Sequence, residues 1–358
     1  MQEILFREKR LIDREEERRY IKDWFEKLPE EILWIYGPKS TGKTTIIEYI
    51  VENELFDDFK LFKSEKYNVK YINFRQKLFG NYDSFINSMT STIDASSYSL
   101  TASFNLGFFK IESKLYEDIK AKNVDLFDVL FDELKQSSKR NVLIFDEIQS
   151  LENIYVDKER ELLHEFLNFC VRLTKETHLS HVVLLSSNTI FINKIYNNAK
   201  LKVTSKFYKI DHLGFDVVKE WLNYEGFSSD DIELIYDYLD GSIAHIQRLM
   251  REKEWQKEKS LKELLDEMVQ FGWSEIFMTL RELFKKGYKD SSEKFSDIAK
   301  EILRDGFYKY KIDKDASIDA FDIVDYFCEK EILFFEPQNN CIYANSRVYE
   351  KAFERFIK

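Results

Sequence analysis

The most specific chemistry in this chain is carried by eight consecutive residues. Gly37-Pro38-Lys39-Ser40-Thr41-Gly42-Lys43-Thr44 fits the pattern G-x-x-x-x-G-K-[ST] at every fixed position, which is the pattern of a loop that wraps phosphate oxygens. Its glycines let backbone N–H groups turn inward, Lys43 brings a point charge to the β/γ phosphates, and the Thr44 hydroxyl is a ligand for Mg²⁺. Thr45 stands next in line in the first helical turn and completes the candidate binding set.

A phosphate loop that does chemistry also needs an acidic strand end. Asn141-Val142-Leu143-Ile144-Phe145-Asp146-Glu147 supplies it: Asp146 to hold a metal-bound water, and Glu147 to orient and deprotonate the water attacking the terminal phosphate. Thr44 and Asp146 are thus the expected metal ligands, and Lys43 and Glu147 the expected catalytic groups. Asn188, after the apolar run Val182 to Ser186, is placed either to read the phosphate and the attacking water or simply to cap a loop.

These groups work only if strands and helices hold them together. Ile32 to Tyr36 reads as a short strand before the loop, and Ile46, Ile47, Tyr49 and Ile50 give a helical pattern after it. Val69 to Phe74, Asn141 to Asp146 and His181 to Ser186 are further near-continuous apolar runs separated by helical stretches, which predicts a parallel α/β sheet covered on both faces. Residues 96–111 alternate like an inserted hairpin. After Asp211 the strand signals stop, and four helices are expected over 216–223, 230–239, 243–252 and 261–271. Three more helices and a hairpin around Pro337-Gln338-Asn339-Asn340 then predict a winged helix. The expected parts are a core over 1–210, a helical lid over 211–275 and a winged helix over 276–358.

Composition limits the rest. The 358 residues are 44% hydrophobic, 33% charged and 16% aromatic, with 10 Gly and 3 Pro, which excludes collagen-like and low-complexity chains. Three scattered cysteines, Cys170, Cys328 and Cys341, make neither a disulfide framework nor a zinc site. No apolar run approaches ~18 residues, so a cytoplasmic protein without membrane contact is expected. The net charge is -11, concentrated in residues 211–278, where 7 basic residues stand against 16 acidic ones. An acidic lid of this kind suits a basic protein partner. Ser317 to Glu331 carries Asp319, Asp322, Asp325, Glu329 and Glu331 against Lys330 alone, which disfavours DNA in the usual recognition-helix mode.

The phosphate loop, the Asp13-Arg14-Glu15-Glu16 element before it and Leu143-Ile144-Phe145-Asp146-Glu147-Ile148-Gln149 together resemble the archaeal ATPase family. This is an AAA+-like branch of P-loop NTPases related to signal-transducing ATPases with numerous domains and, more distantly, to origin-recognition proteins. The resemblance spans an α/β core, a helical lid and a C-terminal winged helix. It implies ATP over GTP, and it places Asp13 and Arg14 beside the adenine. Two departures stand out. Ser205-Lys206 replaces the family's Gly-Arg, whose arginine is a candidate finger that lysine does not imitate. Gly241-Ser242-Ile243-Ala244 keeps one glycine of the lid turn and lacks its proline, leaving Arg248 as a candidate sensor. The expected function is an Mg²⁺-dependent ATPase whose nucleotide state, ATP or ADP, moves the lid and winged helix. The alternative is a slow-turnover switch or scaffold acting through a protein partner or DNA.

Overall fold

The apolar runs become neighbouring strands of one sheet. The computed structural model describes residues 5–6, 9–10, 14–76, 80–92, 109–157, 160–196, 199–309 and 318–358. Two short paired strands, β1 (Leu5–Phe6) and β2 (Lys9–Arg10), precede helix α1 (Glu15–Glu26). The core continues through β3 (Ile32–Tyr36), α2 (Lys43–Ile50), β4 (Tyr67–Asn73) and α3 (Tyr82–Met89). The short strands β5 (Thr90–Thr92) and β6 (Phe109–Ile111) pair in parallel, and most of the expected hairpin over 96–111 lies outside the described residues. Then come α4 (Ser113–Lys120), α5 (Leu126–Gln136), β7 (Arg140–Asp146), α6 (Leu162–Val171), β8 (Ser180–Leu185), α7 (Thr189–Tyr196), α8 (Ala199–Thr204) and β9 (Ser205–Lys209).

The five-stranded sheet has the order β4-β7-β8-β3-β9 and is parallel throughout. Side chains alternate between its faces. Leu33, Ile35, Val142, Ile144 and Val183 pack under α1 and α2, while Ile32, Trp34, Leu143, Phe145 and Leu184 pack against Phe85, Leu130 and Phe166 of the opposite layer. Both faces are therefore dry, as a parallel sheet requires. The chain leaves β3 towards the β4 edge and leaves β8 towards β9, so a crevice opens where these adjacent strands part. The phosphate loop sits there.

The lid consists of α9 (Phe215–Tyr224), α10 (Ser229–Leu239) and α11 (Ile243–Trp255) around a core that includes Val218, Trp221, Ile235 and Leu249. Next comes α12 (Leu261–Lys285), a single helix of 25 residues. Where the sequence predicts two helices with a domain boundary near 275, the structure runs straight through. Leu264, Leu265 and Met268 enter the lid core and Ile276, Leu280 and Leu283 enter the next one. Gly272 does not stop the helix. Its missing side chain lets α15 (introduced below) approach, with Val348 and Ala352 within 3.4–3.6 Å of where a Cβ would stand. The C-terminal unit adds α13 (Ser291–Asp305), β10 (Tyr308–Lys309), α14 (Ile318–Glu329), β11 (Leu333–Glu336), β12 (Cys341–Ala344) and α15 (Arg347–Ile357), with strand order β10-β12-β11. Among the described residues no helix is long and apolar enough to cross a membrane.

A four-residue strap, Ile210 to Leu213, ties these parts together. Ile210 N–H bonds Tyr36 O at 2.8 Å and Leu213 N–H bonds Gly241 O at 3.0 Å, while the His212 ring bonds Asn345 O at 3.0 Å. A Cβ on Gly241 would fall inside the van der Waals envelope of the Leu213 backbone. Gly241→Ala is therefore expected to destabilise the protein by about 2 kcal/mol or more. Urea unfolding checks this, and an unchanged midpoint would mean that the strap relaxes freely.

Candidate nucleotide site

The site is assembled at the carboxyl ends of β3, β7, β8 and β4. Gly37 follows β3 directly, and a Cβ there would run into the Ile210 carbonyl, so no larger residue fits beside the strap. Gly42, the N-cap of α2, has φ 88° and ψ 14°, a left-handed conformation that costs other residues roughly 1 kcal/mol or more. These two glycines shape the turn that brings α2, with its positive N-terminal end, up to the loop.

Lys43 is buried, and its ammonium rests on Gly37 O at 3.0 Å and Pro38 O at 2.7 Å. Burial lowers its pKa to about 8, partly offset by the nearby charges of Asp146 and Glu147. The Thr44 hydroxyl donates to Asp146 Oδ2 at 2.8 Å, and Asn73 Nδ2 donates to the same oxygen at 3.2 Å. Burial pushes the Asp146 carboxyl up to about 6, with the Thr44 bond working against the rise. A buried carboxylate beside a hydroxyl is the oxygen-only donor pair that a hard divalent cation takes, and a cation there would relieve the desolvated charge. Thr44 and Asp146 therefore fit Mg²⁺.

Glu147 leaves the strand at φ 61° and ψ 43°, with its N–H on Leu185 O at 3.1 Å. This left-handed turn aims its side chain away from Asp146. One carboxylate oxygen is paired with Arg75 and the other accepts from Gln149 Nε2. Gln149 Oε1 in turn accepts from Ser186 Oγ at 2.9 Å, so a polar chain crosses the ends of β4, β7 and β8.

The structure distributes the other sequence-predicted residues unevenly. Arg14 is buried, and its guanidinium bonds Thr41 O at 2.9 Å, Asp211 O at 2.6 Å and Glu17 at 2.7 Å. It braces the phosphate loop against the strap, and Asp13 lies outside the described residues. Asn188 Oδ1 accepts the Phe191 N–H at 3.0 Å, the capping role. Lys206 pairs in register with Leu33 near the amino end of β3, at the opposite edge of the sheet from the phosphate loop. Pro38 and Thr41 are buried, with Thr41 Oγ1 on Pro38 O at 3.2 Å. Lys39 and Ser40 form the outer lip.

Several residues were not singled out from sequence. Asn73 and Arg75 end the neighbouring β4, and Asn73 is opposite Asp146 in register. Polar residues closing an apolar strand were the available signal. From the C-terminal unit, Glu331 pairs with Lys39, Asn345 Oδ1 accepts the Lys39 N–H at 3.4 Å, and Glu336 meets Tyr36 and, at 3.0 Å, Lys209. Nothing local in the sequence announces contacts spanning about three hundred residues.

Three comparisons bear on this geometry. An ATP-binding protein of Methanocaldococcus jannaschii is 30% identical over 96% of this chain and 96% of its own length, and one of Pyrococcus abyssi is 29% identical over 77% and 84%. Among solved structures, the ADP form of the Aeropyrum pernix ORC2 protein aligns over 97% of this chain and 95% of that one, at 13% identity and a TM-score of 0.48. A family model described as an ATPase domain predominantly from Archaea matches residues 11–249, which include the phosphate loop, Asp146, Glu147 and the first turns of the lid. The chain belongs to this archaeal ATPase family.

Proposed function

We propose that this protein binds ATP and hydrolyses it to ADP and phosphate in an Mg²⁺-dependent reaction. The observation that carries the reading is the phosphate loop joined to an adjacent Asp146-Glu147 pair, with Thr44 2.8 Å from Asp146. Backbone N–H groups of the loop and the Lys43 ammonium bind the phosphates, and Thr44 and Asp146 hold the metal. Mg²⁺ supplies charge neutralisation across the β and γ phosphates. Glu147 accepts the proton of the attacking water as its oxygen bonds to the γ phosphorus and the bond to the ADP oxygen breaks. Both Glu147 oxygens are engaged by Arg75 and Gln149, so the base must first be released, and basal turnover is slow.

The same engagement, with the C-terminal unit seated on the loop through Asn345 and Glu331, favours a second reading. In it the chain is a nucleotide-regulated switch in which the lid and the C-terminal winged helix change place with nucleotide state. A partner would be a protein rather than DNA. Lys351 reaches Asp237 at 2.7 Å and Arg355 reaches Asp266 at 3.1 Å, so cations that might have touched a phosphate backbone bind lid carboxylates. Phosphate release by the wild-type protein, alone and with DNA, decides between the readings. Steady Mg²⁺-dependent release supports the enzyme, and none under either condition overturns it.

Metal binding carries its own pH signature. The Asp146 carboxyl is raised from 3.8 to about 6, so the folded protein keeps a proton that the unfolded chain gives up between those values. Its contribution to stability is full near pH 4 and is lost as pH rises through 6, on the order of 3 kcal/mol. A cation needs the carboxylate, so the Mg²⁺-induced rise in Tm with ATP present should shrink at pH 5 relative to pH 7.5. Equal rises at both pH values would remove Asp146 from the metal site.

A further inference from the structure

A cavity of about 440 Å³ lies where the outer lip of the phosphate loop meets the lid and the C-terminal unit. The loop contributes Lys39 and Ser40, α11 contributes Arg248 and Arg251, and α15 contributes Ser346 at its N-terminus. Ser346 is 4% exposed, and its hydroxyl has no hydrogen-bond partner among the described residues. An N-cap serine ordinarily accepts an N–H from the first turn of its helix, and Ser346 does not. The N-cap of α11, Ser242, lines the same wall and is likewise without a cap bond, its hydroxyl bonding His245 Nδ1 at 2.9 Å instead. Two helix N-termini, with the partial positive charge each carries, thus open on one cavity.

The charges agree. Among the described residues neither Arg248 nor Arg251 is paired with a carboxylate, and the Arg248 guanidinium lies 4.8 Å from the Phe271 ring centroid. The carboxylates in the wall are already engaged, Glu331 by Lys39 and Glu275 by the Tyr349 hydroxyl at 2.7 Å. A buried unpartnered hydroxyl, two uncapped helix ends and two unpaired guanidinium groups converge on a space that holds a small anion.

We propose that this cavity is an oxyanion subsite that takes a phosphate group and is read jointly by the lid and the C-terminal unit. The inference rests on the nucleotide reading above. The phosphate is either the terminal phosphate of a bound triphosphate or free inorganic phosphate beside a bound ADP. Because Ser346 follows Asn345, which accepts the Lys39 N–H, an anion here bears directly on how the C-terminal unit sits on the loop.

Calorimetric titration of wild type, Ser346→Ala and Arg251→Gln with ATPγS, with ADP, and with inorganic phosphate added to the ADP-loaded protein tests the proposal. ADP affinity should be equal in all three and serves as the folding control. Arg251 is exposed on α11, so its variant stands even if Ser346→Ala fails to fold. If the terminal phosphate is the ligand, ATPγS affinity falls about tenfold in either variant. If free phosphate is the ligand, ATPγS affinity holds, while the wild-type protein binds phosphate on ADP and the variants do not. ATPγS and phosphate binding that are the same in all three proteins overturn the subsite. A wild-type protein that binds neither ADP nor ATPγS overturns instead the nucleotide reading on which it rests.

Discussion

Glu147→Gln should lower the rate of phosphate release by about 10²–10⁴-fold, the usual worth of a positioned general base, while ATP affinity changes by less than about threefold. Glutamine keeps the size of the side chain and an oxygen that Arg75 can still hold, but it does not accept the proton of the attacking water. Glu147 makes no contact with the phosphate loop. Its partners are Arg75, Gln149 and, through its N–H, Leu185, so ground-state binding has little to lose. The left-handed backbone at φ 61° is strained for any residue with a Cβ, and the strain is the same for both side chains. Single-turnover phosphate release with calorimetric ATP binding separates the two quantities. A variant that hydrolyses as fast as wild type removes Glu147 from the base role, and one that no longer binds ATP makes it a binding residue.

The phosphate loop was legible because everything it needs is local. Eight residues between a strand and a helix encode the turn, the charge and the hydroxyl together, and Asp146-Glu147 is marked by acid at the end of an apolar run. What stayed hidden depends on which strands become neighbours. Asn73 and Arg75 matter only because β4 pairs with β7 and sets Asn73 opposite Asp146, and spacing along the chain carries no trace of that register. Arg14 illustrates a different limit. Its place near the loop followed from the family resemblance, but its actual work is to bind the backbone carbonyls of Thr41 and Asp211, groups every residue carries. Gly272 shows a third. A glycine between two helical patterns reads as a break, yet here it allows α12 and α15 to touch, a packing reason that appears only once both helices are placed.

The acidic lid also changes meaning when folded. Lys351 and Arg355 of α15 bind Asp237 and Asp266, so part of the negative field is answered within the chain. Each exposed pair contributes only about 0–1 kcal/mol, which suits a contact that is made and broken. The strap from Ile210 to Leu213 touches the phosphate loop, the lid and Asn345 at once, and it is the shortest covalent path by which a change at the nucleotide reaches the C-terminal unit.

Lys43→Met should abolish nucleotide binding without weakening the empty protein. The ammonium is buried against two carbonyls of its own loop, and burial has moved its pKa from 10.5 to about 8. The folded pKa lies below the unfolded one, so the charged form is penalised by on the order of 3 kcal/mol at neutral pH, and the penalty fades only as pH rises through 8 towards 10.5. Methionine removes that penalty and leaves the Gly37 and Pro38 carbonyls short of a donor, at about 1 kcal/mol each. The two effects nearly cancel, so the Tm of the empty protein should stay the same or rise slightly. The phosphates meanwhile lose charge-assisted bonds of about 1.5–3 kcal/mol each, which lowers ATP affinity by about 100-fold or more and removes the ATP-induced rise in Tm. A group kept in the fold at a cost to the empty protein is one whose use comes only with the ligand. A Lys43→Met protein that melts far below wild type would show that the lysine is there for the fold, and one that keeps the ATP-induced shift would show that the phosphates are held without it.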